Sequence, residues 1–262
     1  MRWEHLTGAE FEAAVAKAAS VCVIPVGVIE YHGPHLPLGT DMLNCHALAC
    51  AAAEREPVIV YPPYYFGVNV ETKHYPGGIV IEDWLLFRLL ENICAEVSRN
   101  GLKKIVLLNG HGGNRFFLPL FVQLALDKER DYTLFYIEPF GRDAELFSQV
   151  METAEHGHAC ECETSLSLYV HPELVRMDLL GPQTHWHTQE RLQHLQGVYT
   201  PADWFAKYPE HGAGDPRPAT AQKGQKLFEA LVAKLAEVLG AIKRDEAAAA
   251  IYREFGERIY RR

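Results

Sequence analysis

The chain has 262 residues, of which 48% are hydrophobic and 23% charged, and these fractions are ordinary for a globular protein with a deep core. Its formal net charge of −9 argues against nucleic-acid binding, because a surface for nucleic acid must neutralise phosphates with Lys and Arg. No apolar run approaches the roughly 20 residues needed to cross a bilayer, and the first residues lack the apolar core of a signal peptide, so we expect a cytoplasmic protein without a membrane partner.

The hydrophobic pattern alternates strands and helices along the chain. Apolar, β-branched runs predict buried strands at residues 21–29, 57–62, 103–108 and 132–138. Apolar residues recurring every three or four positions predict helices at residues 42–54, 83–100, 114–128 and 220–242. This order predicts an α/β fold with a mostly parallel sheet and helices on both faces, in a single domain over residues 1–262. Asp41 is a candidate cap for the first of these helices, and Gly101 for the end of the second.

Candidate metal ligands follow two of the predicted strands. Glu30 and His32 come directly after the first strand, Asp41 follows a Pro- and Gly-rich turn, and His111 lies in Asn-Gly-His-Gly-Gly-Asn after the third strand. Because the carboxyl ends of parallel strands share one edge of a sheet, we expect these side chains to converge. Carboxylates and imidazoles are ligands for Zn²⁺, Mn²⁺ or Fe²⁺. The glycine-rich segment could instead hold an anion, although it lacks the residues of a P-loop.

A third polar segment covers residues 156–165 and precedes an apolar helical pattern. Glu163 is a candidate for a further metal ligand, and His158 for proton transfer, since the ordinary pKa of imidazole lies near neutral pH. The alternative is a helix start at which acidic residues are favoured by the helix dipole. Residues 179–218 are rich in Pro, Gly, His and Trp, and we predict a long loop there that builds or covers a pocket.

Together these segments resemble the creatininase (creatinine amidohydrolase) family. The matching pieces, in the order of the family, are residues 27–41, 64–78, 109–114, 158–165 and 214–224. The resemblance implies a three-layer α/β/α domain, two divalent ions per subunit, hydrolysis of a C–N bond and a homo-oligomer, often a hexamer. Family members act on creatinine, on a formylaminopyrimidine or on a precursor peptide of a redox cofactor, so the resemblance alone does not choose the substrate.

By position in the family motifs, Glu30, Asp41 and His111 would bind one ion, and His32 with the shared Asp41 would bind the other. Creatininase itself has a Glu at the position of Gly113, so here the carboxylate for the second ion must come from elsewhere, and we predict Glu163. Creatininase also has tryptophans near its third motif, whereas residues 141–165 contain none. We therefore expect a substrate other than creatinine.

The predicted function is hydrolysis of a cyclic amide, a formamide or a related small substrate. Two ions bridged by Asp41 would lower the pKa of a shared water, and His158 would bring a proton to the leaving nitrogen. Candidate substrate-binding residues, or supports for the ligands, are His35, His74, Asn114 and Asp215. The alternatives are hydrolytic ring opening of a cyclic sugar-like ketone, and a metal-dependent protein that binds a ligand without turnover.

Overall fold

The central sheet has four parallel strands, as seen in a computed structural model that describes residues 1–140, 144–181, 186 and 188–260. In spatial order the strands are β2 (Ile59–Val60), β1 (Val21–Val26), β3 (Lys104–Asn109) and β4 (Thr133–Ile137). Val26 at the end of β1 lies opposite Asn109 at the end of β3. The chain adds β2 on one side of β1 and β3 on the other, and such a reversal opens a crevice at the carboxyl ends of the strands.

Helices connect and follow the strands. Within the described residues they are α1 (Gly8–Lys17), α2 (Thr40–Arg55), α3 (Asp83–Arg99), α4 (Asn114–Leu124), α5 (Ala144–Val150), α6 (Glu161–Val170), α7 (Asp203–Lys207), α8 (Ala221–Arg244) and α9 (Ala247–Tyr260). No helix in this part of the chain is long and apolar enough to span a membrane.

The helices cover both faces of the sheet. Val23 and Val106 belong to one buried cluster that includes residues of α2, α6 and α8. Ile24 and Leu107 belong to a second cluster, which includes residues of α1, α3 and α4. Successive strand residues point to opposite faces, so a strand buried on both sides reads as the unbroken apolar run seen in the sequence. The predicted α/β class with a parallel sheet between helical layers is confirmed.

The first strand ends earlier than predicted. β1 stops at Val26, and the N–H of Gly27 donates to the carbonyl of Tyr64 instead of continuing the pairing with β3. A Cβ atom on Gly27 would lie 2.6 Å from the backbone nitrogen of Met42. The chain therefore leaves the sheet beside the start of α2, and Glu30 and His32 follow as buried residues.

Two predictions about helix ends have different outcomes. Gly101 follows α3 with a φ of +89°, a conformation that favours glycine, and its N–H donates to the carbonyl of Ser98, so this prediction is confirmed. The prediction that Asp41 caps α2 is wrong. Gly39 is the capping residue, and Asp41 lies within the first turn of the helix. Its carboxylate is directed to other side chains, which form the candidate site.

Candidate metal centre

The loop after β1 brings two carboxylates and an imidazole into the crevice. The N–H of Glu30 donates to the carbonyl of Leu38 at 2.9 Å, which closes the loop on itself. The chain then enters α2, whose first turn contains Asp41. Glu30 and His32 are fully buried, and Asp41 is 4% exposed. These charged groups therefore meet in an environment from which water is largely excluded.

His111 reaches the same place from the end of β3. Its Nδ1 lies 2.9 Å from Oδ2 of Asp41 and 3.1 Å from Oε1 of Glu30. Its Nε2 donates to the carbonyl of Val68 at 2.9 Å. The N–H of Val68 in turn donates to Oδ1 of Asn114 at 2.9 Å, so Asn114 positions the peptide that orients the imidazole. The predicted convergence of Glu30 and His111 is confirmed.

Gly113 has no space for the side chain that creatininase has at this position. A Cβ atom on Gly113 would lie 2.3 Å from the carbonyl oxygen of Val68 and 2.4 Å from Nε2 of His111. Glu163, in the first turn of α6, instead places a carboxylate oxygen within 4.8 Å of ligand atoms of His32 and His158. A carboxylate from α6 thus reaches the part of the site that contains His32 and His158.

Backbone carbonyls orient the imidazoles of His32 and His158 as well. Nδ1 of His32 donates to the carbonyl of Glu30 at 3.2 Å, and its Nε2 lies 3.1 Å from Oδ1 of Asp41. Nε2 of His158 donates to the carbonyl of Tyr31 at 2.7 Å, and its Nδ1 lies 3.5 Å from Oε1 of Glu30. In the neutral form each ring therefore directs a lone pair toward the carboxylates. We call Glu30, His32, Asp41, His111, His158 and Glu163 the carboxylate–imidazole cluster.

Buried carboxylates raise the pKa of two imidazoles in the cluster. Burial disfavours the charged form of His111, but the charges of Glu30 and Asp41 outweigh burial and raise its pKa well above the ordinary value. Burial is likewise outweighed at His32, where Asp41 raises the pKa to about 9. Negative charge in the cluster therefore attracts positive charge, either as protons on these rings or as a metal ion.

The pKa values of Glu163 and His158 shift in the direction that removes charge. Burial, together with the charge of Asp41, raises the pKa of Glu163 to about 7. Burial and the neighbouring His32 lower the pKa of His158 to about 3. Groups with strongly shifted pKa values are typical of functional sites.

The residues present fit divalent metal ions. While the rings of the cluster are neutral, both carboxylate oxygens of Glu30 and Oδ2 of Asp41 are buried without a hydrogen-bond donor among the residues that the structure describes, which is costly unless a cation compensates. Ligand atoms lie within 4.8 Å of one another in three groups, namely Glu30 with Asp41 and His111, His32 with His158 and Glu163, and Glu30 with His158 and His211. Such a mixed oxygen and nitrogen set suits zinc or manganese.

His211 is a site residue that the sequence analysis missed. It is 1% exposed, and its Nε2 lies 3.7 Å from Oε2 of Glu30. Its ring centroid is 4.7 Å from that of His158. The available signal was its place in a His- and Trp-rich segment, just before the matching residues 214–224.

Tryptophans from the same segment enclose the site. Cβ atoms on Gly33 and Gly212 would lie 2.4 Å and 2.2 Å from ring atoms of Trp186, so both glycines are needed for this indole to pack here. Nε1 of Trp204 donates to Nδ1 of His211 at 3.1 Å. We call Trp186, Trp204 and His211 the aromatic wall. Residues 182–185 and 187 of the predicted long loop lie outside the described residues, and its described part contains α7.

The remaining predicted residues lie at different distances from the cluster. His35 is buried, and its Nε2 lies 2.8 Å from Oγ1 of Thr164, next to Glu163 in α6. His74 donates to the carbonyl of Pro209 at 3.2 Å, and its ring centroid is 5.5 Å from that of His211. Asp215 pairs with Arg217 at 2.5 Å and belongs to none of the metal-competent groups found among the described residues.

A parallel sheet with a metal-competent cluster at its carboxyl edge defines the class of protein, and comparison with known proteins defines the family. The family model described as creatinine amidohydrolase matches residues 4–239. The chain belongs to the creatininase family and is a hydrolase of that family.

Three relatives act on different substrates, according to their names. Creatinine amidohydrolase of Pseudomonas putida is 28% identical over 256 residues, covering 90% of this chain and 94% of the relative. The mycofactocin precursor peptide peptidase of Mycolicibacterium smegmatis is 31% identical and covers 80% of each chain. The 3-dehydro-scyllo-inosose hydrolase of Thermotoga maritima is 25% identical, covering 82% of this chain and 75% of the relative.

Solved creatininase structures share this fold. A mutant creatininase of the Zn-Zn type has a TM-score of 0.78 at 25% identity, covering 93% of this chain and 98% of the other. A manganese creatininase has a TM-score of 0.76 at 25% identity, covering 93% of this chain and 99% of the other. Relatives of this fold thus hold zinc or manganese.

Proposed function

We propose that this chain is an amidohydrolase that holds two divalent metal ions and hydrolyses a C–N bond in a small cyclic amide, formamide or related substrate. The observation that carries the proposal is the orientation of Asp41. Its Oδ1 lies 3.1 Å from Nε2 of His32, while its Oδ2 lies 2.9 Å from Nδ1 of His111. One carboxylate thus faces two imidazoles that are themselves fixed by backbone carbonyls, as a ligand shared between two ions requires.

The cluster divides into two ligand sets around Asp41. Glu30 and His111 would hold one ion with Asp41, and His32 and Glu163 would hold the other with the same carboxylate. When bound, the ions would lower the pKa of a shared water and polarise the substrate carbonyl. The buried, fixed donors keep the two sites together at the end of the sheet, where the crevice admits substrate.

His158 is the residue that we assign to proton transfer. Its Nε2–H is held by the carbonyl of Tyr31, so its Nδ1 lone pair is directed into the cluster. Its pKa of about 3 keeps the ring neutral near pH 7, so the lone pair is available to a proton from water, and the protonated ring is a strong acid toward the leaving nitrogen. We expect His158→Ala to retain both ions and to lower turnover by about 10²- to 10⁴-fold. Loss of metal from this variant would identify His158 as a ligand, and full activity would remove it from the mechanism.

The test of the proposed function combines metal analysis with a substrate panel. Protein purified without chelator is analysed for metal per chain and then assayed on cyclic amides, formamides and short peptides. Two ions per chain, with turnover of an amide that stops on chelation and returns with zinc or manganese, would support the proposal. A protein that turns over these amides with no bound metal would contradict it.

The panel includes creatinine, because tryptophans from later in the chain lie beside the candidate site. The absence of tryptophan from residues 141–165 favoured another substrate, but Trp204 donates to His211, and Trp186 packs against Gly33, next to His32. The relative named as a peptide peptidase supports the short peptides, and the relative named as an inosose hydrolase supports a cyclic polyhydroxy ketone as a second candidate substrate. Tight small-molecule binding with two ions and no turnover would favour a ligand-binding protein.

Location in the cytoplasm and assembly into a homo-oligomer, often a hexamer in this family, stay predictions. Sedimentation of the metal-loaded protein measures the assembly state directly. A hexamer would agree with the family resemblance, and a monomer at micromolar concentration would contradict it.

A further inference from the structure

His211 differs from the other histidines of the site in the nitrogen that it presents. The indole Nε1 of Trp204 lies 3.1 Å from Nδ1 of His211 with hydrogen-bond geometry. An indole nitrogen can only donate, so Nδ1 must be the acceptor and carries no proton. In neutral imidazole the proton then sits on Nε2, the atom directed at Glu30.

The Nε2 atom of His211 is buried and makes no hydrogen bond with any of the described residues. The nearest carboxylate oxygen, Oε2 of Glu30, is 3.7 Å away. A nitrogen that bears a proton has no lone pair for a metal ion. The neutral rings of His32, His111 and His158 have the opposite arrangement. In each, a backbone carbonyl accepts the N–H of one ring nitrogen, and the nitrogen that faces the carboxylates carries a lone pair.

The backbone holds His211 beside the cluster. Its own N–H donates to the carbonyl of Tyr208 at 3.0 Å. Two residues later, Ala213 exchanges both backbone hydrogen bonds with His158, at 3.1 and 2.9 Å. On its other side the ring faces His74, with ring centroids 5.5 Å apart. The N–H donor is therefore fixed between the cluster and the outer part of the site.

We propose that His211 is a catalytic residue that acts as a neutral hydrogen-bond donor, its Nε2–H binding an oxygen atom of the substrate, while Trp204 is the positioning residue that fixes the tautomer. The inference rests on the proposed function for the identity of the reaction. The acceptor is the carbonyl oxygen of the substrate, where a fixed donor stabilises the negative charge that develops when water adds to the carbonyl. His211 is thereby excluded from the metal ligands.

The experiment separates donation from metal binding. His211→Gln keeps an amide N–H of similar reach, His211→Phe keeps a ring without N–H, and Trp204→Phe keeps the aromatic contact without the indole donor. Each zinc-loaded variant is analysed for metal content, kcat and KM on the best substrate of the panel. The tautomer is read directly from side-chain ¹⁵N resonances of the zinc-loaded wild type, with the His211 signals assigned from their absence in His211→Gln.

We expect a neutral ring with the proton on Nε2 in the wild type. His211→Phe should retain zinc and lose on the order of 10²- to 10³-fold in kcat, and His211→Gln should recover most of that loss. Trp204→Phe should retain zinc, lower kcat and populate the second tautomer of His211.

Three results would overturn the inference. An unprotonated Nε2 in the zinc-loaded wild type would do so whatever the turnover, and this measurement does not depend on the folding of any variant. Loss of zinc in a folded His211→Phe protein would identify a ligand, and unchanged kcat would identify a packing residue. A wild type that binds zinc but turns over no amide would contradict the proposed function alone, because the tautomer of the zinc-loaded protein is measured separately.

Discussion

The carboxylate–imidazole cluster and the aromatic wall come from different kinds of segment in the chain. The cluster follows β1 and β3 and the starts of α2 and α6, and backbone carbonyls hold three of its imidazoles. The wall comes from the segment between α6 and α8, where α7 is the longest helix among the described residues, and its histidine is held by a side chain, that of Trp204. Metal geometry is thus set by the fold, whereas the wall can change with single side chains. Metal binding and substrate selection should therefore be separable by mutation.

Asp41→Ala should have the largest effect, because it removes the one carboxylate that faces both ligand sets. We expect loss of both ions and a decrease in activity on the order of 10³-fold or more, since even supporting residues of metal sites contribute about 10- to 100-fold in affinity. Elemental analysis and amide turnover measure the two effects. Asp83→Ala, at an exposed position in the first turn of α3, is the matched control. Retention of two ions by Asp41→Ala would refute the bridging role.

Glu163→Gln should act on one side of the cluster only. The amide keeps the size of the side chain but is a weak metal ligand, so we expect metal content to fall from two ions to one and activity to fall by about 10²-fold. The variant also tests whether Glu163 supplies the carboxylate that creatininase has at the position of Gly113, because no other carboxylate among the described residues is grouped with both His32 and His158. Two ions per chain in Glu163→Gln would exclude Glu163 as the ligand of the second site.

The cluster was largely predictable from the sequence, because its ligands follow local patterns. An unbroken apolar run marks a buried strand, and parallel strands share their carboxyl edge, so Glu30 and His111 could be brought together from positions far apart in the sequence. The exact start of α2 was less accessible. Aspartate is a common capping residue, but Gly39 is at the capping position of α2, and the carboxylate of Asp41 faces His111 in the cluster.

The aromatic wall could not be predicted in the same way. Its segment has no period of two or 3.6 residues, so no local pattern shows which side chains face the cluster. Trp186 lies there because Gly33 and Gly212, far apart in the chain, leave space for its ring. His211 lies there because the neighbouring Ala213 pairs with His158. Such contacts are set by tertiary packing, and only the structure reveals them.

Metal affinity should rise with pH because metal ions compete with protons on the carboxylate–imidazole cluster. Residues of the aromatic wall should not contribute to this dependence. Although burial opposes it, Asp41 raises the pKa of His32 to about 9, and Glu30 and Asp41 raise the pKa of His111 well above its ordinary value. Without metal, each of the two rings therefore carries a second proton at pH 6 to 7.5, and an incoming ion must displace it. Raising the pH weakens this competition, so affinity should increase by up to about tenfold per pH unit for each displaced proton.

Zinc titration calorimetry in buffers of different ionisation enthalpy measures these protons. Release of up to three protons per chain is expected between pH 6 and 7.5, from His32, His111 and Glu163, since the pKa of Glu163 is raised to about 7. His211→Gln should release as many protons as the wild type, because His211 is not among the proposed metal ligands. Zinc binding without proton release would contradict the raised pKa values of His32 and His111.

Gly212→Ala should have the smallest effect and test the separation most directly. Its Cβ would lie 2.2 Å from the ring of Trp186, so the indole must move away from its place in the wall. Overpacking of this kind costs about 1–3 kcal/mol, and we expect KM to rise by about tenfold while zinc content and proton release stay unchanged. Gly8→Ala is the control, because no atom lies within 4 Å of the added Cβ. If Gly212→Ala instead loses zinc, the wall supports the ligands, and metal binding and substrate selection are not separate in this fold.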